Sequence, residues 1–299
     1  MAVATERLGR PGQARDERSV AARIGDAVSK GPVHVFLIVL ALLWITPTIT
    51  LLVSSFRTAA AYAESGWWTV FTRPAQLTLK PYTDLFANEQ LVTALLNTVK
   101  ITVPTSLAVV VVAALAAYGF AWIDFKGRDI VFVIVVGLLV VPLQMALIPA
   151  ARLFGNIGLF GTIWAAILFH IAFGLPFAIF LLRNFFIGIP GDLLEAARID
   201  GASEMQIFRR IVLPLGMPAI AALLIFQFIW TWNDLLVALV FAGGESAPLN
   251  VYIRSQMRQY GTSIDIIAPG AFISMIVPVV VFFIFQRYFV QGILAGSIK

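Results

Sequence analysis

Six stretches of this chain are long and apolar enough to cross a lipid bilayer, and that feature limits its fold more than any other. They run over approximately residues 33–55, 91–123, 130–150, 161–182, 215–242 and 267–289. A spanning helix needs about 20 mainly apolar residues. Periodicity within the runs is weak because several are apolar all round, as expected of helices surrounded by protein and lipid. The chain is 60% hydrophobic and 12% charged, with mean hydropathy +0.91, whereas a soluble domain carries about 25% charged residues. So few charges cannot hold so apolar a body in water. The expectation is an all-α polytopic membrane protein with six transmembrane helices.

The distribution of Lys and Arg orients the spans. With the N-terminus inside, Arg7, Arg10, Arg15, Arg18, Arg23, Lys30, Lys126, Arg128, Arg183, Arg198, Arg209, Arg210, Arg287 and Lys299 are cytoplasmic. Arg57, Arg73, Lys80, Lys100, Arg152, Arg254 and Arg258 fall opposite. Fourteen against seven predicts both termini cytoplasmic, although the tail alone supplies six of the fourteen. Residues 1–32 are polar and mixed in charge, and the first apolar run is too long for a cleaved signal. They read as a flexible cytoplasmic tail, with residues 33–299 forming the membrane domain. Residues 56–90 and 243–266 read as external loops, the former with Trp67 and Trp68 at the interface. Pro47, Pro104, Pro142, Pro149, Pro176 and Pro278 interrupt spans; each removes a backbone donor and can kink its helix.

The total charge of +5 is spread out, without the basic stripe of a nucleic-acid binder. There is no cysteine, hence neither disulfide nor thiolate metal site. His170 has no second ligand at metal spacing and His34 sits at the edge of the first run, so no metal site is expected. His170 reads instead as an interhelical hydrogen bonder. No HExxH or GxSxG pattern supports an intramembrane enzyme.

One cytoplasmic stretch carries specific information. Residues 189–218 read IPGDLLEAARIDGASEMQIFRRIVLPLGMP. Pro190-Gly191 breaks the chain, and Asp192 three residues before Glu195 has capping-box spacing. A short helix follows to Ile199, and Gly201 suits a left-handed helix stop. Ser203 and Gln206 repeat the box and start a second helix, on which Met205, Phe208 and Val212 share a face. Pro214 and Pro218 mark the start of the fifth span. The stretch predicts a helix–turn–helix that either lies on its own bundle or offers small and apolar residues to a partner.

Glu195-Ala196-Ala197, with Gly201 four residues on and Ile211-Val212-Leu213-Pro214 after it, resembles the EAA-type signature of ABC importer permeases. Asp200-Gly201-Ala202 is similar to the variant found in carbohydrate importers. Trp232-Asn233-Asp234 looks like the sugar-permease pattern of the fifth span. The ending Gln286-Arg287-Tyr288-Phe289-Val290-Gln291-Gly292 is similar to that of the second permease subunit of maltose-type importers. Asn97 and Pro142 also fit, while the tail lies outside the resemblance.

The resemblance implies a non-catalytic permease subunit of a bacterial plasma-membrane sugar importer, forming half of the pathway. It implies a heterodimer with a homologous permease, two ATPase subunits that bind ATP and Mg, and an extracytoplasmic sugar-binding protein. No glycine-rich loop ending in Lys-Ser or Lys-Thr is present to cradle ATP phosphates, so the chain holds no cofactor of its own. Loop 189–214 would couple to the ATPase through Glu195, Ala196, Ala197, Asp200, Gly201, Leu213 and Pro214. Residues 243–266 would reach toward the sugar carrier. Asp234 is an acid inside a span, a functional candidate by default; with Trp230, Trp232 and Asn233 it is the candidate pathway or substrate group. Asp234 and Asn233 have a structural alternative, capping a break or bonding to a neighbouring helix. The competing reading of the whole chain is a secondary-active sugar carrier, which usually has more spans and an inverted repeat.

Overall fold

The computed structural model describes the backbone of residues 20–259 and 264–297, and the side chains of residues 31–257 and 264–286. Thirteen α-helices appear among the described residues. They are α1 (Val20–Ser55), α2 (Ala59–Glu64), α3 (Lys80–Ala87), α4 (Glu89–Trp122), α5 (Arg128–Gly137), α6 (Leu143–Asn156) and α7 (Ile163–Ile187). Then follow α8 (Gly191–Ile199), α9 (Glu204–Ile207), α10 (Leu213–Trp232), α11 (Leu236–Phe241), α12 (Leu249–Gln259) and α13 (Ile264–Ser297). Five continuous helical runs are long and apolar enough to cross a membrane: 31–55, 89–122, 163–187, 204–232 and 264–286.

The sixth expected span, 130–150, is not one straight helix. Helices α5 and α6 form an apolar pair bent by 102°, and six spans result only if that pair is counted as one. Pro142 explains the bend. Proline disfavours helical backbone in the residue before it, and Val141 is extended, at φ −68 and ψ 117. A short 3-10 turn, Leu138–Val140, precedes the break.

The chain divides into two compact units, residues 1–50 and 51–299. Within the first, residues 20–32 are helical and continuous with the apolar run rather than part of a tail; residues 1–19 lie outside the described residues. Phe36, Leu43 and Trp44 are exposed on this helix, as suits a surface solvated by lipid.

In the second unit, α4, α7 and α10 pack together, with α13 along α10 and α12. Small residues let the helices approach closely. Ala113, Ala114 and Ala117 of α4 and Ala178 of α7 are buried in one cluster with Ile220 and Leu223 of α10. Gly216 sits so close to the Phe186 ring that a β-carbon there would lie 2.6 Å from it. Helices α4 and α7 run parallel. Ile101, in the first half of α4, clusters with Ala165 near the start of α7, and near the ends of both helices Trp122 Nε1 donates to the Phe186 carbonyl at 3.1 Å.

The segment 56–90 is folded rather than a plain loop. Arg57 is fully buried, and its Nη2 donates to the carbonyls of Ala61 and Ser65 and to Ser65 Oγ. Trp67 begins a 3-10 turn, Trp67–Phe71, on which Trp68 and Phe71 are exposed. Asn88 caps α4, its side chain accepting from the Leu91 amide at 3.1 Å. Lys100 is exposed at the start of the fourth turn of α4.

Candidate functional site

Two places carry the residues singled out above: the loop from α8 to α10, and the break after Trp232. At the loop, α8 begins after Pro190 with no side-chain cap, so the capping box between Asp192 and Glu195 does not form. Asp192 lies in the first turn, where a carboxylate favours the helix dipole. Glu195 is exposed. The helix stops at Gly201, which has φ +82. There the amides of Gly201 and Ala202 donate to the carbonyls of Arg198 and Ala197, each at 3.0 Å. Ser203 and Gln206 do form a capping box.

The second helix is not separate from the fifth span. It continues from α9 through a π turn, Phe208–Val212, directly into α10. Pro214 lacks an amide proton and crowds the carbonyl four residues back, and the backbone widens there. Leu194, Ile207 and Val212 are completely buried, and Phe208 nearly so. Met205, expected to share a face with Phe208 and Val212, is exposed while those two are buried together with Ile207.

The seven candidate coupling residues therefore divide. Glu195, Ala196, Asp200, Gly201 and Pro214 are exposed, whereas Ala197 and Leu213 pack against the core cluster. Leu193, Met205 and Ile199 are exposed beside them, Ile199 at 86%.

A side-chain network that the sequence did not reveal holds this loop to the span ends. Arg198 Nε donates to Glu204 Oε1 at 2.9 Å, and Arg198 Nη2 to the Trp122 carbonyl at 3.3 Å. The buried Tyr118 hydroxyl of α4 donates to the other Glu204 oxygen. Arg183 Nε donates to the Phe120 carbonyl at 3.4 Å, and its guanidinium lies 4.0 Å above the Phe132 ring. The opposite charges of Arg198 and Glu204 either side of Gly201 were the available signal, but Tyr118 is 86 residues from Glu204.

At the second place α10 ends at Trp232 and α11 starts at Leu236, so the expected span 215–242 is broken. Asp234 caps α11. Its carboxylate accepts from the amides of Val237 at 3.3 Å and Ala238 at 2.9 Å. His170 Nε2 of α7 stands 3.4 Å from Asp234 Oδ2, with the histidine 1% and the aspartate 11% exposed. Both structural alternatives for Asp234 are thus realised together.

Trp232 is buried and stacks on Phe228 at 5.5 Å, its Nε1 donating to the Ser274 carbonyl at 2.9 Å. Trp230 is partly exposed, its ring at right angles to that of His170. Asn250 Nδ2 donates to the Trp232 carbonyl at 3.1 Å, and Ser274 Oγ to Asn250 Oδ1 at 2.9 Å. Asn233 alone of the four candidates lines two open clefts of about 420 and 750 Å³, shared with Asn250 and Ile253. Arg254 and Met257 line the larger, Ser274 and Met275 the smaller.

The stretch before α12 is anchored to the start of α4. Asn97 Nδ2 donates to the carbonyls of Glu245 at 2.7 Å and Ala247 at 3.3 Å. The Leu249 amide donates to Thr98 Oγ1 at 2.8 Å. Residues 260–263 of the expected external loop, and the side chains of the C-terminal pattern beyond Gln286, lie outside the described residues. Among the described residues no group of three His, Asp or Glu side chains is placed to hold a metal.

Residues 109–295 match the family described as binding-protein-dependent transport system inner membrane component. The permease protein GgtD of Synechocystis, described as taking up osmoprotective compounds, is 46% identical over 90% of this chain and 92% of its own. The alpha-glucoside transport permease AglG of Rhizobium meliloti is 45% identical over 76% of this chain and 62% of its own. A solved bacterial ABC transporter involved in import of the acidic polysaccharide alginate contains a chain with TM-score 0.75 and 25% identity, covering 92% of this chain and 100% of that one. This chain belongs to the inner-membrane components of binding-protein-dependent transport systems, and it is a multi-pass permease subunit of that family.

Proposed function

We propose that this chain forms one half of the pathway of an ATP-driven sugar importer and is driven through the loop at Glu195–Gly201. The observation that carries the reading is the two-sided character of that loop. Leu194 and Ile207 are buried beneath it, while Leu193, Ile199 and Met205 are exposed around small Ala196 and Gly201. A rigid loop that leaves apolar and small residues uncovered is suited to a protein partner. That partner is an ATPase subunit, for which Ala196 and Gly201 permit close approach and Glu195 supplies a charge. The Tyr118–Glu204–Arg198 network transmits its motion to α4 as a rigid-body shift.

A homologous permease completes the pathway as a heterodimer, and ATP and Mg are bound by the two ATPase subunits. A carbohydrate cargo is supported by the alpha-glucoside and alginate transporters among the similar proteins. The clefts at Asn233 belong to the pathway, and the Asn97-anchored segment faces the solute-binding protein. On this reading the Arg198 and Glu204 end is cytoplasmic.

The test is ATPase activity of the co-expressed complex in lipid, with binding protein and candidate sugars added in turn. Stimulation by one sugar, lost in loop variants, supports the reading and names the cargo. Transport by the chain with no ATPase co-purifying overturns it and favours a secondary carrier.

A further inference from the structure

The contact between His170 and Asp234 joins the driven loop to the break in the fifth span. Below His170, α7 continues to Ile187, four residues before Gly191 opens α8. Near that end Phe186 receives the Trp122 bond and seats Gly216. Above, His170 Nε2 faces a carboxylate that also holds the first amides of α11. One carboxylate is thus gripped by α7 and by α11 together. The backbone on either side of Asn233 is pinned in turn, since Asn250 Nδ2 reaches the carbonyls of Trp232 and Asp234 at 3.1 and 3.5 Å.

Capping alone does not account for the histidine. The two amide bonds already satisfy Asp234 as a cap, and a buried imidazole is costly in an apolar helix. His170 Nδ1 is buried without a hydrogen-bond partner, which adds to that cost. The arrangement gives α7 a hold on the break. A shift of α7 along or about its axis must either lose the contact or carry Asp234 with it.

We propose that His170 is a positioning residue, the latch through which movement of α7 resets the Asn233–Leu235 break and so the clefts beside it. The proposal rests on the reading that the α8 loop is driven by an ATPase, and its mechanical element is a break that two helices bias. Asn233, whose Nδ2 donates to the Ile229 carbonyl at 2.9 Å at the end of α10, is the side chain whose place beside the clefts the latch governs, because the backbone on both sides of it is held by Asn250.

The native chain has no cysteine, so a reporter in it labels without background from the chain itself. Leu236→Cys places a thiol on the exposed first turn of α11. Its labelling rate is measured in the full complex in lipid, nucleotide-free and trapped with ATP and vanadate. The reporter alone is expected to differ between the two states by about fivefold or more. Adding His170→Leu should bring that ratio to near one, and His170→Gln, which can still donate to Asp234, should restore most of it. Asp234→Asn, which keeps one acceptor for α11, should reduce the ratio as well and serves where His170→Leu does not assemble. An unchanged ratio in His170→Leu, in a complex that still hydrolyses ATP, overturns the latch alone. An equal ratio in the reporter chain itself, with the ATPase bound and active, also overturns it. Failure of any ATPase to assemble with the reporter chain overturns the driven-loop reading and the latch with it.

Discussion

The α8–α9 loop and the Asn233–Asp234 break differ in what each leaves unsatisfied. The loop is closed underneath and open above: its polar anchors are paired within the chain, while Ile199, Leu193 and Met205 are uncovered. The break has the opposite character. Its charged group is enclosed, capped and matched by His170, and only Asn233 and neighbouring side chains face the clefts. A surface made to meet another protein can stay apolar and exposed. A break at membrane depth must satisfy its own backbone or line a cavity, and this one does both.

The largest expected effect separates the two roles of Gly201. A β-carbon there meets nothing within 4 Å, yet φ is +82. Gly201→Ala should therefore lose only about 1–2 kcal/mol of local stability from the left-handed conformation. Gly201→Trp should in addition weaken co-purification of the ATPase by about tenfold or more, as at an interface hot spot. Equal ATPase recovery with both variants would show that this face is not the docking surface.

Next comes the support beneath the loop. Glu204→Ala strips the buried Tyr118 hydroxyl of its partner, at a cost of about 1–3 kcal/mol. Thermal unfolding should fall accordingly. Tyr118→Phe, which removes the hydroxyl along with the bond, should cost less.

At the break, adjacent residues should part company. Asp234→Ala removes the cap of α11, worth about 0.5–2 kcal/mol, and should lower the melting temperature. Asn233→Ala loses only an exposed bond to the Ile229 carbonyl and should lower the melting temperature less, while altering stimulation by cargo. Similar losses of stability from both would erase the distinction between the enclosed and the cleft-facing residue.

Asn97→Leu should release the carbonyls of Glu245 and Ala247, costing about 1 kcal/mol and speeding proteolysis within residues 243–248. The smallest effect is expected from Glu195→Gln. It should change stability by no more than about 0.5 kcal/mol, as at an ordinary surface position, while weakening the ATPase contact. A large loss of stability there would mean that Glu195 serves the fold.

How much could be read in advance depended on how far each interaction reaches along the chain. The helix stop at Gly201 and the Ser203–Gln206 box were legible because a cap involves residues within one turn of each other. The box at Asp192 failed by the same local logic, since the helix starts at Gly191 and leaves Asp192 inside its first turn. The bend of the third span was signalled by Pro142, but its angle was not, because proline dictates a break and neighbouring packing sets the direction. Helical periodicity put Met205 on one face with Phe208 and Val212, and the packing buries Phe208, Val212 and Ile207 but leaves Met205 exposed.

The sequence by itself determined the membrane class, where the apolar runs lie and the helix stop at Gly201. Those follow from transfer of apolar side chains into lipid and from bonds closed within a turn. Tertiary structure alone decided that Tyr118 would meet Glu204 and that His170 would meet Asp234, 64 residues away. It also decided that Trp232 would be buried while Asn233 faced the clefts. Such pairings depend on the rotation and register of one helix against another, which packing of small residues along α4, α7 and α10 sets.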